Sequence, residues 1–150
     1  LISYQLRKAT AADAAAIRSL IYRVRINPTN LDWQRFIVAQ DETGKFLGCG
    51  QIKPHSDGTF ELASIAVQPE FHGQGIGKAI ILELLAGSPR PIYLRCRSKL
   101  EIYYEKFGFR QVRKDEVPPA FRIIWSIFEL MRRFFPPHMQ GRIMIKTEEK

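Results

Sequence analysis

Cysteine is scarce in this chain of 150 residues, histidine nearly so, and long apolar runs are missing. Cys49 and Cys96 each lie in an apolar, strand-like stretch. That is the placement of small buried side chains in a reducing compartment, not of a disulfide scaffold. The three histidines and two cysteines are scattered without ligand spacing, so no metal site is expected. No stretch reaches the ~18 apolar residues of a membrane span, and the most apolar segment, Phe121 to Phe135, is broken by Arg122, Glu129, Arg132 and Arg133. The opening residues lack the basic-then-apolar pattern of a secretory leader, and a cytoplasmic protein is the expectation. Acidic residues are also short: 15 Asp and Glu face 23 Lys and Arg, a net charge of +8. The excess is uneven, with 8 basic and 7 acidic residues through Gly75 but 15 and 8 from Ile76 onward. Such a C-terminal half either attracts an anionic partner or is a solvated basic surface. No recognised nucleic-acid-binding motif accompanies the charge, so nucleic acid is not the expected partner.

What is present fits one globular domain over residues 1–150. Hydrophobic residues make up 45% and charged residues 25%, as in ordinary folded chains, and the length suits a single core. Tyr4 to Lys8 reads as a strand. Thr10 and Asp13 have capping-box spacing, and Ile17, Leu20, Ile21 and Val24 then mark a helix to about Arg25. Phe36 to Ala39, Phe46 to Lys53 and Phe60 to Val67 are strands joined by short turns at Asp41–Gly44 and Ser56–Gly58, an antiparallel meander. A helix follows Gly77 and stops at Gly87-Ser88-Pro89. A strand over Pro91–Cys96, a short helix over Lys99–Lys106 and a strand over Phe109–Val112 complete a core over about 4–112. Pro118 and Pro119 open an apolar-basic helix, about 118–136, that Pro136 and Pro137 close. A last strand covers about 142–146, with a charged tail over Thr147–Lys150.

The informative segment is Val67-Gln68-Pro69-Glu70-Phe71-His72-Gly73-Gln74-Gly75-Ile76-Gly77-Lys78. A strand enters a turn with glycines at alternate positions, and a helix leaves it. Residues without side chains let backbone amides approach an anion. The first helical turn adds unpaired N–H groups and the positive end of its dipole, and Lys78 adds a full charge. A Walker loop is excluded, because His72 stands where its first glycine belongs and Ala79 where its Ser or Thr belongs. A dinucleotide fingerprint fails as well, since Lys78 or Ile80 occupies its third small position.

The segment resembles the acyl-coenzyme A signature of the GCN5-related N-acetyltransferase (GNAT) family, Arg/Gln-x-x-Gly-x-Gly/Ala after a strand ending in Ala-Val. The matching residues are Ile65-Ala66-Val67 and His72-Gly73-Gln74-Gly75-Ile76-Gly77, with His72 in place of the usual Arg or Gln. A second element, Ile102-Tyr103-Tyr104-Glu105-Lys106-Phe107-Gly108-Phe109, resembles the family's Phe-Tyr-Glu-Lys-x-Gly-Phe. Two motifs in the right order, about 30 residues apart, strengthen the match. The resemblance implies an α/β (α+β) fold, a mixed, mostly antiparallel central sheet flanked by helices, here with an extra helix before the last strand. It also implies acetyl-CoA as acyl donor and a primary amine of a small molecule or protein as acceptor. Ile65, Ala66, Val67 and His72 through Lys78 would bind the cofactor, with the Val67 amide donating to the thioester carbonyl.

Acyl transfer to an amine needs a neutral amine, a stabilised oxyanion and a proton for the departing thiolate. Tyr104, four residues before Gly108, stands where the resembled family keeps its tyrosine acid, whereas Tyr103 suits packing. Glu61, six residues before Val67, corresponds to the strand glutamate that several relatives use as general base. With strict alternation it shares a face with Ala63, Ile65 and Val67 unless a bulge intervenes. A solvated edge carboxylate is the competing account. His55, near a turn, reads as a surface residue. Arg23, Arg25, Arg95 and Arg97 could line a cleft for an acidic acceptor, or serve as ordinary surface charge. In the extra helix Phe121, Ile124, Trp125, Phe128, Met131 and Phe135 form an apolar stripe. It could cover the acceptor cleft, form a homodimer or partner face, or, least favoured, touch a membrane surface. A non-catalytic acyl-CoA-binding module with an anionic partner is the alternative to the enzyme.

Overall fold

A computed structural model describes residues 1–148; the last two residues of the expected charged tail lie outside the described residues. The strands are β1 (Tyr4–Lys8), β2 (Phe36–Asp41), β3 (Phe46–Pro54), β4 (Phe60–Val67), β5 (Ile92–Arg97), β6 (Arg110–Gln111) and β7 (Gly141–Lys146). The helices are α1 (Ala14–Arg23), α2 (Ile76–Ala86), α3 (Glu101–Glu105) and α4 (Arg122–Phe134). The strands form one sheet in the order β1-β2-β3-β4-β5-β7-β6. The pairings β1–β2, β2–β3, β5–β7 and β6–β7 are antiparallel, and β4 runs parallel to β5 with Glu61 opposite Tyr93. The expected mixed, mostly antiparallel sheet with a helix inserted before the last strand is therefore the observed one.

The chain divides into two compact units, one of residues 1–53 and 62–88, the other of 54–61 and 89 onward. In the first, β1 pairs with β2 from Tyr4↔Asp41 to Lys8↔Ile37. Ile17, Leu20 and Ile21 of α1 bury against Phe36, Val38 and Cys49. Asp13 opens α1 with its carboxylate accepting from the Thr10 amide at 2.7 Å and from both terminal nitrogens of Arg7 at 2.7 and 2.9 Å. That fork holds the Asp13 carboxyl below its ordinary range. The helix ends at Arg23 and not at Arg25, because Arg25 is left-handed (φ 59). Its amide returns to Tyr22, and that of Ile26 to Ile21, a Schellman close made without glycine. Gly50 sits where a Cβ would fall 2.5 Å from Ile65 Cδ1 and 2.8 Å from Ile80, so α2 lies close on β3 only because this side chain is missing.

In the second unit β5 and β7 pair over six residues, from Ile92↔Lys146 to Arg97↔Gly141. Tyr93, Phe121, Ile143 and Ile145 form its core, with Ile124, Trp125 and Phe128 of α4 packed on it. Phe128 lies flat enough on Gly141 that no Cβ would fit there. The strand expected over Phe109–Val112 pairs only at Arg110 and Gln111, although the Val112 amide still reaches the Ile143 carbonyl. Both cysteines are free, and burial pushes the Cys49 thiol up to about 12.

Candidate active site

The glycine-rich turn is shaped by backbone conformation. Gly73 (φ 79) and Gly75 (φ 80) are left-handed, and a Cβ at either would meet nothing within 4 Å. The need for glycine is therefore conformational, and the space above the turn is open. Gly75 is the N-cap of α2 with no side chain capping it, so the first-turn amides at Ile76, Gly77 and Lys78 have no intrahelical acceptor. The helix thus starts at Ile76, ahead of the expected start after Gly77, and Gly77 belongs to its first turn. An uncapped helix start beside a lysine, entered through two left-handed glycines, is chemically an anion cradle.

Contacts from three residues, which sequence alone did not reveal, brace this turn. The Ile2 amide donates to the Gln74 side chain at 2.7 Å, and Tyr4 Oη approaches the Gly75 carbonyl at 3.5 Å. Arg23 donates to Gln68 at 2.6 Å and to Glu70 at 2.5 Å. Arg23 is thereby engaged, not a bare cation lining a cleft. His72 turns back on its own loop: its Nε2 lies 2.9 Å from the Val67 carbonyl. A carbonyl can only accept, so Nε2 carries the hydrogen.

On β4, Ser64 is left-handed (φ 59), and its hydroxyl accepts from Gln51 Nε2 at 2.9 Å. A residue outside the extended region interrupts the period of two, so the alternation does not carry from Glu61 through to Val67. Ile65 packs toward Gly50 beside Ile80, while Ala66 joins the α1 core.

Glu61 is not the solvated edge residue of the competing account. Its side chain is 4% exposed, and both carboxylate oxygens are occupied. Oε2 accepts from Arg95 Nε at 3.0 Å, and Oε1 lies 2.9 Å from His55 Nε2. A carboxylate acceptor requires the hydrogen on Nε2. The His55 side chain is 23% exposed and sets its ring edge-on to Phe121 at 5.3 Å. The surface residue of the sequence reading is in fact the outer member of a buried pair. No sequence signal marked it, since the pairing depends on the turn after β3 folding His55 back over Glu61.

Tyr104 lies in α3, with its ring near Tyr103 (5.2 Å) and Phe109 (6.2 Å). Burial pushes its phenol above the usual value, and Cys96 and Tyr103 push the same way. It stays protonated across the neutral range and can donate, not accept, a proton. Tyr103 also packs on Phe107 at 5.3 Å, the role expected of it. Alternation along β5 puts Arg95 on one face with Tyr93 and Cys96 on the other. Glu61 with Arg95, and Tyr104 with Cys96, therefore flank β5 on opposite faces. No group of three or more potential metal ligands occurs among the described residues.

A mixed sheet of this order with a glycine-opened helix after β4 defines a class, the mixed α/β domains that carry an anion cradle at a helix start. The family model described as Acetyltransferase (GNAT) domain matches residues 32–111. The chain belongs to the GNAT acetyltransferase family. Solved structures of similar fold include Rv2747 from Mycobacterium tuberculosis in complex with CoA and NLQ, at TM-score 0.70 and 22% identity, covering 96% of this chain and 99% of that one. N-acetylglutamate synthase from Neisseria gonorrhoeae, complexed with coenzyme A and N-acetyl-glutamate, gives TM-score 0.74 and 16% identity. That match covers 96% of this chain but 35% of the synthase. A GNAT-family acetyltransferase from Staphylococcus aureus Mu50 gives 0.69 and 12%, over 97% and 99% of the two chains. At these identities the likeness is one of fold. No curated protein matches the chain.

Proposed function

We propose that this chain acts as a single N-acetyltransferase domain that moves an acetyl group from acetyl-CoA to a primary amine of a small molecule or protein by direct attack. The observation that carries this is the turn before α2. Its left-handed Gly73 and Gly75 and its uncapped first-turn amides fit a diphosphate, with Lys78 adding charge. His72 through Lys78 would hold that group, and Ile65, Ala66 and Val67 the arm beyond it, with the Val67 amide as oxyanion donor. Coenzyme A supplies the acyl group as a reactive thioester. Tyr104 gives its phenolic proton to the sulfur that leaves. Glu61 is the candidate base, acting on the incoming amine directly or through water, with Arg95 and His55 holding its carboxylate in place.

The alternative, a non-catalytic acyl-CoA-binding module, draws support from one detail: His72 faces the Val67 carbonyl and not the open side of the turn. Calorimetry with coenzyme A, followed by thiol release from acetyl-CoA across a panel of amines, tests both. Binding with turnover supports the enzyme, and binding without turnover supports the module. Absence of binding in folded protein removes the basis of either.

A further inference from the structure

Helix α4 is apolar on two sides. Ile124, Trp125 and Phe128 face the core of their own unit. A second row, Ile123, Ile127, Leu130 and Phe134, recurs at spacings of four, three and four and is exposed by 79, 46, 58 and 74%. At ~1.5 Å per residue the row runs about 16 Å along one helix edge. Exposed apolar side chains in a continuous row signal an interaction surface, since scattered ones do not align.

The flanking charge identifies the occupant. At 100° per residue, Arg122, Ser126 and Arg133 lie together along the edge next to Leu130 and Ile123. All three are exposed, and neither arginine has an ion-pair partner among the described residues. The single acid of the helix, Glu129, is paired with Arg132 at 3.6 Å. Two copies meeting on this row would set arginine rows against each other with no acid to answer them. The row also offers on the order of 500 Å², short of the about 800 Å² per partner of a stable dimer. An anionic lipid surface meets neither obstacle. Its phosphates answer the arginines, and a single row of apolar side chains suffices to enter the boundary between headgroups and acyl chains.

We propose that α4 is an interfacial helix that seats the protein on an anionic membrane surface. Ile123, Ile127, Leu130 and Phe134 enter the boundary, and Arg122 and Arg133 reach lipid phosphates. This stands independently of the reaction the protein catalyses.

The test is flotation of the full chain with vesicles of phosphatidylcholine alone, or of phosphatidylcholine and phosphatidylglycerol in equal parts. Binding to the mixed vesicles is expected to be at least about tenfold tighter and to weaken with salt. Phe134→Glu and Ile127→Glu, at exposed positions, should each lower it by about tenfold with unchanged circular dichroism and melting temperature. Arg122→Gln with Arg133→Gln should erase the preference for the anionic vesicles. No binding to either vesicle, or binding indifferent to both glutamate variants, overturns the proposal. So does a dimer seen by sedimentation that Phe134→Glu dissolves while vesicles are ignored, which would assign the row to a second copy of the chain.

Discussion

The turn from Val67 to Lys78 and the segment carrying α4 are built on opposite principles. In the turn, main-chain torsion angles carry the chemistry, and the side chains mostly brace it: Gln74 holds Ile2, and His72 holds the Val67 carbonyl. In the α4 segment the backbone is an ordinary helix, and everything distinctive lies in which side chains face which way. The first kind of site is written in glycines and survives many side-chain changes. The second is written in a periodicity, which tells that a helix is apolar on a broad arc but not how much of the arc is covered.

Four substitutions sharpen this contrast. The largest effect belongs to neither region: Tyr104→Phe should lower turnover by about 10²-fold while leaving coenzyme A affinity unchanged, checked by steady-state kinetics and calorimetry. Unchanged turnover would remove the phenol from the reaction. Gly141→Ala forces a methyl into the Phe128 ring, and chemical denaturation should show a loss of about 2 kcal/mol. Gly75→Ala meets no atom within 4 Å, so its penalty is the left-handed backbone alone. Coenzyme A binding should weaken by about tenfold, and a full-strength isotherm would show that the turn does not need that conformation. The smallest effect is Ile123→Ser on the exposed row, where stability should move by less than about 0.5 kcal/mol. A larger loss would mean that this face is covered in solution.

Much of the fold was legible because its signals are local. The meander from Phe36 to Val67 declared itself through its turns, α4 through prolines at both ends, and the cradle through alternate glycines. The misses share a cause. Helix α1 stops early because Arg25 adopts a conformation usually left to glycine, and nothing in an arginine codon position announces that. Gly77 looked like part of the turn but is helical, since a glycine's sequence context does not reveal which of its torsion angles is used. Glu61 was singled out from strand position and resemblance. Its partners Arg95 and His55 come from the neighbouring strand and from a folded-back turn, and such pairings exist only once the sheet has formed. Ser64 made the last difference, because one left-handed residue undoes the alternation on which face assignments along β4 rest.

One short bond ties these matters together. Asp57 Oδ2 accepts from the Ala120 amide at 2.9 Å, two residues before α4, while His55 in the same turn leans on Phe121. The imidazole beside Glu61 and the entry to the inserted helix are thus parts of one mechanical linkage, much as a lever shares its pivot with the latch it moves. Asp57→Asn keeps an acceptor for the Ala120 amide, whereas Asp57→Ala removes that bond and leaves the His55–Phe121 contact to hold the two together.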